Sequence, residues 1–222
     1  MGTEGGGFVE IALYIAIIAV PLVAAIVLHE VAHGAVAYVL GDPTAARAGR
    51  LTLNPIPHID PFGTIILPAL LTVTGFGAFG WAKPVPVDPS RLRNPRRQLL
   101  YVGLAGPFTN FGLMAVTAVA ARASYAAYTG DASRIADLPL VIQFLFMFAF
   151  ANLLLGLFNL LPIPPLDGSS LIERVLPRTW LPAWYRFRPY GLVVLLLVAM
   201  STNILGKLFD PFVDRHFEFI IR

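Results

Sequence analysis

Inside the first apolar stretch of the chain stands His29-Glu30-Val31-Ala32-His33, two imidazoles flanking a carboxylate. Residues four apart lie on one face of a helix, so both rings can reach one tetrahedral zinc ion. Glu30, beside them, is placed to take a proton from water polarised by that ion. With only four His in the chain, chance supplies roughly 0.002 such matches, so the spacing carries information. A pair of packing histidines is the bland alternative. It is costly here, because ionisable groups at membrane depth are expensive unless partnered.

The chain contains no Cys, so a metal at this motif is held by His, Asp or Glu. Catalytic zinc takes three protein ligands and keeps one position for water, so a third ligand must come from elsewhere. Two strings offer one. The first is Asn159-Leu160-Leu161-Pro162-Ile163-Pro164-Pro165-Leu166-Asp167-Gly168, and the second is Asn54-Pro55-Ile56-Pro57-His58-Ile59-Asp60. Their prolines forbid helix, and irregular backbone at membrane depth is tolerated only where it lines a polar cavity. Spacing does not choose between Asp60 and Asp167. His58 and Asp60 fit a supporting shell around the metal, a substrate gate or an oxyanion donor, and equally an interfacial turn capped by Pro and Asp.

The elements that must carry these groups are membrane helices. Over 222 residues, 57% are hydrophobic and 13% charged, which excludes an ordinary soluble domain. Mean hydropathy is +0.72 and the sequence pI is near 9.4. The basic residues sit between apolar segments, which points to anionic lipid and the positive-inside pattern and away from nucleic acid. Residues 8–40 would make roughly 50 Å of helix against a hydrocarbon core of about 30 Å, so this segment tilts, kinks at Pro21 or protrudes. Gly41-Asp42-Pro43 stops it. No Lys or Arg precedes this segment, so it does not read as a cleaved signal peptide.

Further apolar runs cover 62–79, 99–121, 140–161 and 190–205. The first of these is broken by Pro68, Gly75 and Gly77 and lies between two basic loops, so re-entry keeps both loops in the cytoplasm. Lys83, Arg91, Arg93, Arg96 and Arg97 mark the cytoplasmic side, and the N-terminus then lies outside. Gly80 to Val87 has β-branched residues with Pro84 and Pro86 at alternate positions, which suits an edge strand able to receive an extended substrate, or an interfacial loop anchored by Trp81 and Lys83. The expected fold is an all-α polytopic membrane protein, one integral membrane domain over residues 1–222. It has roughly four to six transmembrane helices, a re-entrant segment and a small membrane-associated β-hairpin.

HEVAHG in a transmembrane helix, with NLLPIPPLDG closing a later one, resembles the site-2 protease family of intramembrane zinc metalloproteases. That family's pattern is HExxH followed distantly by NxxPxPxxDG, and every fixed position of both is present in the expected order. Gly103-Leu104-Ala105-Gly106-Pro107-Phe108-Thr109-Asn110 looks like the Gly-rich motif of the family's central helix. The resemblance covers most of the chain. It implies that His29, His33 and Asp167 hold one Zn2+, that Glu30 is the general base, and that Asn110 and Asn159 are polar groups near the site. Asn110, Asn159 or His58 could donate to the oxyanion, and Asn110 fits helix packing equally well.

Unlike many relatives, the chain has no inserted PDZ or regulatory nucleotide-binding domain and no extra helix before the HExxH span, so it looks like a minimal member. The resemblance implies hydrolysis of peptide bonds within or near the span of single-span membrane proteins already shortened by another protease, in the plasma membrane of a prokaryote. An inactive relative holding transmembrane clients would be expected to lose Glu30 or a ligand. A metal transporter would spread polar residues along several spans. Neither pattern is present.

Overall fold

The computed structural model describes residues 4–73, 80–130 and 134–222. Helix α1 (Glu4–Val39) runs through Pro21 without a break and ends ahead of Gly41-Asp42-Pro43. At 36 residues it is about 54 Å long, more than a bilayer core requires. A short helix α2 (Thr44–Arg47) follows it. Helices α4 (Pro95–Ala126) and α5 (Leu140–Asn159) pack on α1 and on each other, forming the three-helix body of the molecule.

Small residues let these helices approach. Ala118 and Ala121 of α4 and Ala149 of α5 are buried around Phe146, where Ile220 from the last helix completes the cluster. In a bilayer such packing is driven by close van der Waals fit, since lipid tails are as apolar as the helix surfaces.

Between α1 and α4 the chain makes a hairpin. Asp60 caps a π-helical turn (Pro61–Ile66) by accepting from the Gly63 N–H at 2.6 Å, and the turn continues as α3 (Leu67–Val73). The chain then returns, with Trp81 N–H donating to the Gly63 carbonyl at 3.0 Å and the Thr64 hydroxyl donating to the Trp81 carbonyl at 2.9 Å. Residues 63–64 and Trp81 are therefore held together at the base of the hairpin, a geometry that fits the expected re-entry; residues 74–79 of the expected run lie outside the described residues. A side chain at Gly63 would collide with the Trp81 indole, with its Cβ only 2.3 Å from Nε1, so glycine is needed where the two arms meet.

One expectation is corrected and a second is narrowed. No strand occurs among the described residues, so the β-hairpin is not formed there. The 81–85 run spends its N–H groups on Gly63, His58 and Glu30, and Pro84 and Pro86 have none. The count of spans falls at or below the lower end of the expected four to six. Among the described residues, three helices are long and apolar enough to cross, or up to four if a bent pair is one span. After α6 (Ser169–Val175) and α7 (Leu181–Phe187), helix α8 (Gly191–Ser201) stops at Thr202-Asn203 and α9 (Ile204–Ile221) departs from it, the stretch Leu181–Ala199 and α9 being bent by 76°. The run 190–205 is therefore no single straight helix. Its 11-residue helical part is only about 16 Å long.

Candidate metal centre

The ligand atoms of His29, His33 and Asp167 lie within 4.8 Å of one another. Both histidines are buried on one face of α1, one helical turn apart, His29 5% and His33 8% exposed. Asp167 comes from the loop joining α5 to α6. That loop is closed by the Gly168 N–H donating to the Asn159 carbonyl at 2.7 Å and the Leu166 N–H donating to the Ile163 carbonyl at 2.9 Å. Leu161 and Leu166 turn inward against Leu195 of α8, which leaves Asp167 facing α1.

The proton positions follow from the partners. His33 Nδ1 lies 2.7 Å from the Val102 carbonyl, which can only accept, so Nδ1 carries the proton and Nε2 is bare. His29 Nδ1 lies 2.5 Å from Asn110 Oδ1, which likewise accepts. The two bare Nε2 atoms are 3.0 Å apart, and Asp167 Oδ2 is 3.0 Å from one and 3.2 Å from the other. Asp167 Oδ2 is buried and has no hydrogen-bond donor.

Three lone-pair atoms at these distances repel one another unless a cation lies among them. Tetrahedral zinc with bonds of about 2.0–2.1 Å would hold its ligands roughly 3.3 Å apart, so the donor set fits the ion in type, number and spacing. The space is kept by Gly106 of α4, where a Cβ would stand 2.5 Å from His33 Nε2 and 2.6 Å from His29 Nε2.

Glu30 faces the same cavity of about 350 Å3 as His33 and Asp167, and its Oε2 accepts the Val85 N–H at 2.8 Å. A larger apolar groove of about 460 Å3 along α1 has no ionisable group in its lining and stands apart from this chemistry. The run 81–88 that covers Glu30 is fastened by its backbone. Lys83 N–H donates to the His58 carbonyl at 2.9 Å, buried Arg50 donates to the Lys83 carbonyl at 2.5 Å, and Asp88 N–H donates to Asp42 at 2.6 Å.

The remaining sequence candidates sit elsewhere. His58 is buried with Nε2 3.1 Å from the Thr52 carbonyl, and Asp60 caps the hairpin turn; neither joins the metal group. Asn159 folds its amide back onto the Leu155 carbonyl at 3.1 Å. Asn110 has both ends of its amide engaged, with Oδ1 on His29 and Nδ2 donating to Asn152 Oδ1 at 2.8 Å. Sequence reasoning missed Asn152, whose one signal is that it is an amide in the middle of an apolar span, with Gln143 and Asn159 nearer the ends.

A membrane helix presenting HExxH to an aspartate from a Pro-rich turn defines a zinc-peptidase type of centre. The profile of peptidase family M50 matches residues 17–200, and the chain belongs to that family, the family of the site-2 proteases. It is 40% identical over 189 residues to YwhC of Bacillus subtilis, a proposed zinc metalloprotease, the match covering 82% of this chain and 79% of that one. It is 33% identical over 183 residues to Rip2 of Mycobacterium tuberculosis, also a proposed zinc metalloprotease, covering 82% of this chain and 66% of Rip2. No solved structure matches it.

Proposed function

We propose that this chain is an intramembrane zinc endopeptidase that cuts single-span membrane proteins within or near their spans. The observation that carries this reading is the convergence of two bare imidazole nitrogens and an undonated carboxylate oxygen on a pocket faced by Glu30. The chemistry that zinc supplies when bound is Lewis acidity and a water that ionises near neutral pH. His29, His33 and Asp167 hold it. Glu30 accepts the proton of the attacking water and delivers it to the leaving amine.

The burial of both histidines excludes bulk water from the ligand side, where charge interactions are therefore strong. A peptide bond in a helix is shielded by its own turn, so substrate must unwind to reach this pocket. The 80–88 run lies over Glu30, and at Pro84 and Pro86 it offers only carbonyls, so an unwound substrate would pair with it there by donating its own N–H groups.

The test is co-reconstitution with a panel of single-span membrane proteins, wild type against Glu30→Gln. Cleavage by wild type alone, with about one zinc bound per chain in both, is the expected result. Equal cleavage by both, or a zinc-loaded wild type that cuts no member of the panel, would overturn it.

A further inference from the structure

We infer that Asn152 is a positioning residue that fixes which nitrogen of His29 is free for the metal. Asn152 and Asn110 are both 0% exposed, and with His29 they form a hydrogen-bonded line across α5, α4 and α1. The direction of the line is set at its far end. The Phe148 carbonyl can only accept, and Asn152 Nδ2 donates to it at 2.8 Å, which turns Asn152 Oδ1 towards Asn110. Asn110 Nδ2 meets that oxygen, so Asn110 Oδ1 must face His29, keep the proton on Nδ1 and leave Nε2 bare.

Reversing the Asn110 amide would set its oxygen against Asn152 Oδ1 and the Ala25 carbonyl, acceptor against acceptor. It would also present an N–H to His29 Nδ1, driving the imidazole proton to Nε2, where a metal could not bind. Without Asn152 the only restraint left is the long contact from Asn110 Nδ2 to the Ala25 carbonyl, 3.4 Å. The second histidine needs no such relay, since His33 Nδ1 rests directly on the Val102 carbonyl.

The inference rests on the metal reading above, and zinc affinity separates the two. Competition with a chromophoric chelator is measured for wild type, Asn152→Leu and the double variant Asn152→Leu/Asn110→Asp. Leucine keeps the branched skeleton of asparagine but is larger, so overpacking at this buried site is one cost of the single variant, and a packing defect would not be recovered by the double variant. We expect Asn152→Leu to lose about tenfold in zinc affinity, within the range for groups that orient metal ligands. The double variant should recover it, because both oxygens of an aspartate accept and no orientation need be chosen.

Wild type that binds no zinc would remove the metal reading itself. Asn152→Leu binding as tightly as wild type, or a double variant no better than the single, would overturn the relay alone. Should Asn152→Leu not fold, 15N NMR of the histidines in metal-free wild type decides. His29 protonated on Nδ1 is expected, and protonation on Nε2 overturns the inference.

Discussion

Gly106 stands where the ion would be crowded by any side chain, which makes it the most economical probe of the centre. Gly106→Ala adds one methyl between two imidazoles with no flexible neighbour to yield, so zinc content measured by metal analysis should fall to background while the helices remain. Asp167→Asn should also cost metal and activity together, because it weakens the only anionic ligand. Asp60→Asn should retain about one zinc per chain, since asparagine caps a helical turn as well as aspartate does. Loss of zinc by the Asp60 variant and retention by the Asp167 variant would invert the assignment. At this scale the sequence was informative where spacing is local. His29, Glu30 and His33 were readable because four residues make about one helical turn. Spacing alone left Asp60 and Asp167 indistinguishable, and only the motif resemblance chose Asp167, because the loop closure at Asn159 and Gly168 that turns it towards α1 leaves no local pattern. Asn152 was invisible because a partner 42 residues away leaves no pattern along the chain.

Among the elements, the hairpin and the run that returns from it can be tested by chemistry the chain happens to permit. With zero Cys in the sequence, single cysteines at Leu53 and at Arg93 report their own exposure cleanly. Re-entry requires a membrane-impermeant maleimide to label both from the same side; opposite sides would mean that the segment crosses. The tie between α1 and the returning run depends on Asp42, which is sealed from solvent. Burial alone would raise its pKa, but the Thr44 hydroxyl, the Asp88 N–H and the Thr44 N–H together hold it below the ordinary carboxylate value. A depressed folded-state pKa means that its contribution is complete above about pH 3.9 and is lost as pH falls through the folded value. The melting temperature of wild type should therefore exceed that of Asp42→Asn at pH 6, and the gap should close below about pH 4. The basic residues around Lys83 were the sequence signal for re-entry, and the hydrogen bonds between Gly63 and Trp81 are consistent with it. The bend after α8 was not, because Thr202-Asn203 is neither Gly nor Pro and interrupts an otherwise continuous apolar run.

For the whole molecule, the position of the centre along α1 sets where a substrate is cut. His33 lies six residues before the end of the helix at Val39, about 9 Å along its axis. Products should carry termini from the cytoplasmic third of the substrate span, and Gly, Asn or Pro near that point should speed cleavage by lowering the cost of unwinding. Mass spectrometry of product termini checks this, and cuts clustered at the outer end of the span would refute it. The membrane class was plain from composition, whereas the number of spans was not, because apolarity does not reveal where a helix stops. One further consequence follows from how the run over Glu30 is held. Its bonds at Trp81, Lys83, Val85 and Asp88 are made by main-chain groups, N–H at all four and carbonyls at Trp81 and Lys83, which side-chain identity leaves in place unless proline removes an N–H. The lineage can therefore vary the side chains of this run, and with them the clients it prefers, while the peptide backbone preserves the grip on the base. Within these eight residues the exposed side chains of Lys83 and Pro84 are thus separable from the grip on the base, whereas at buried Val85 a proline would remove the N–H that Glu30 accepts.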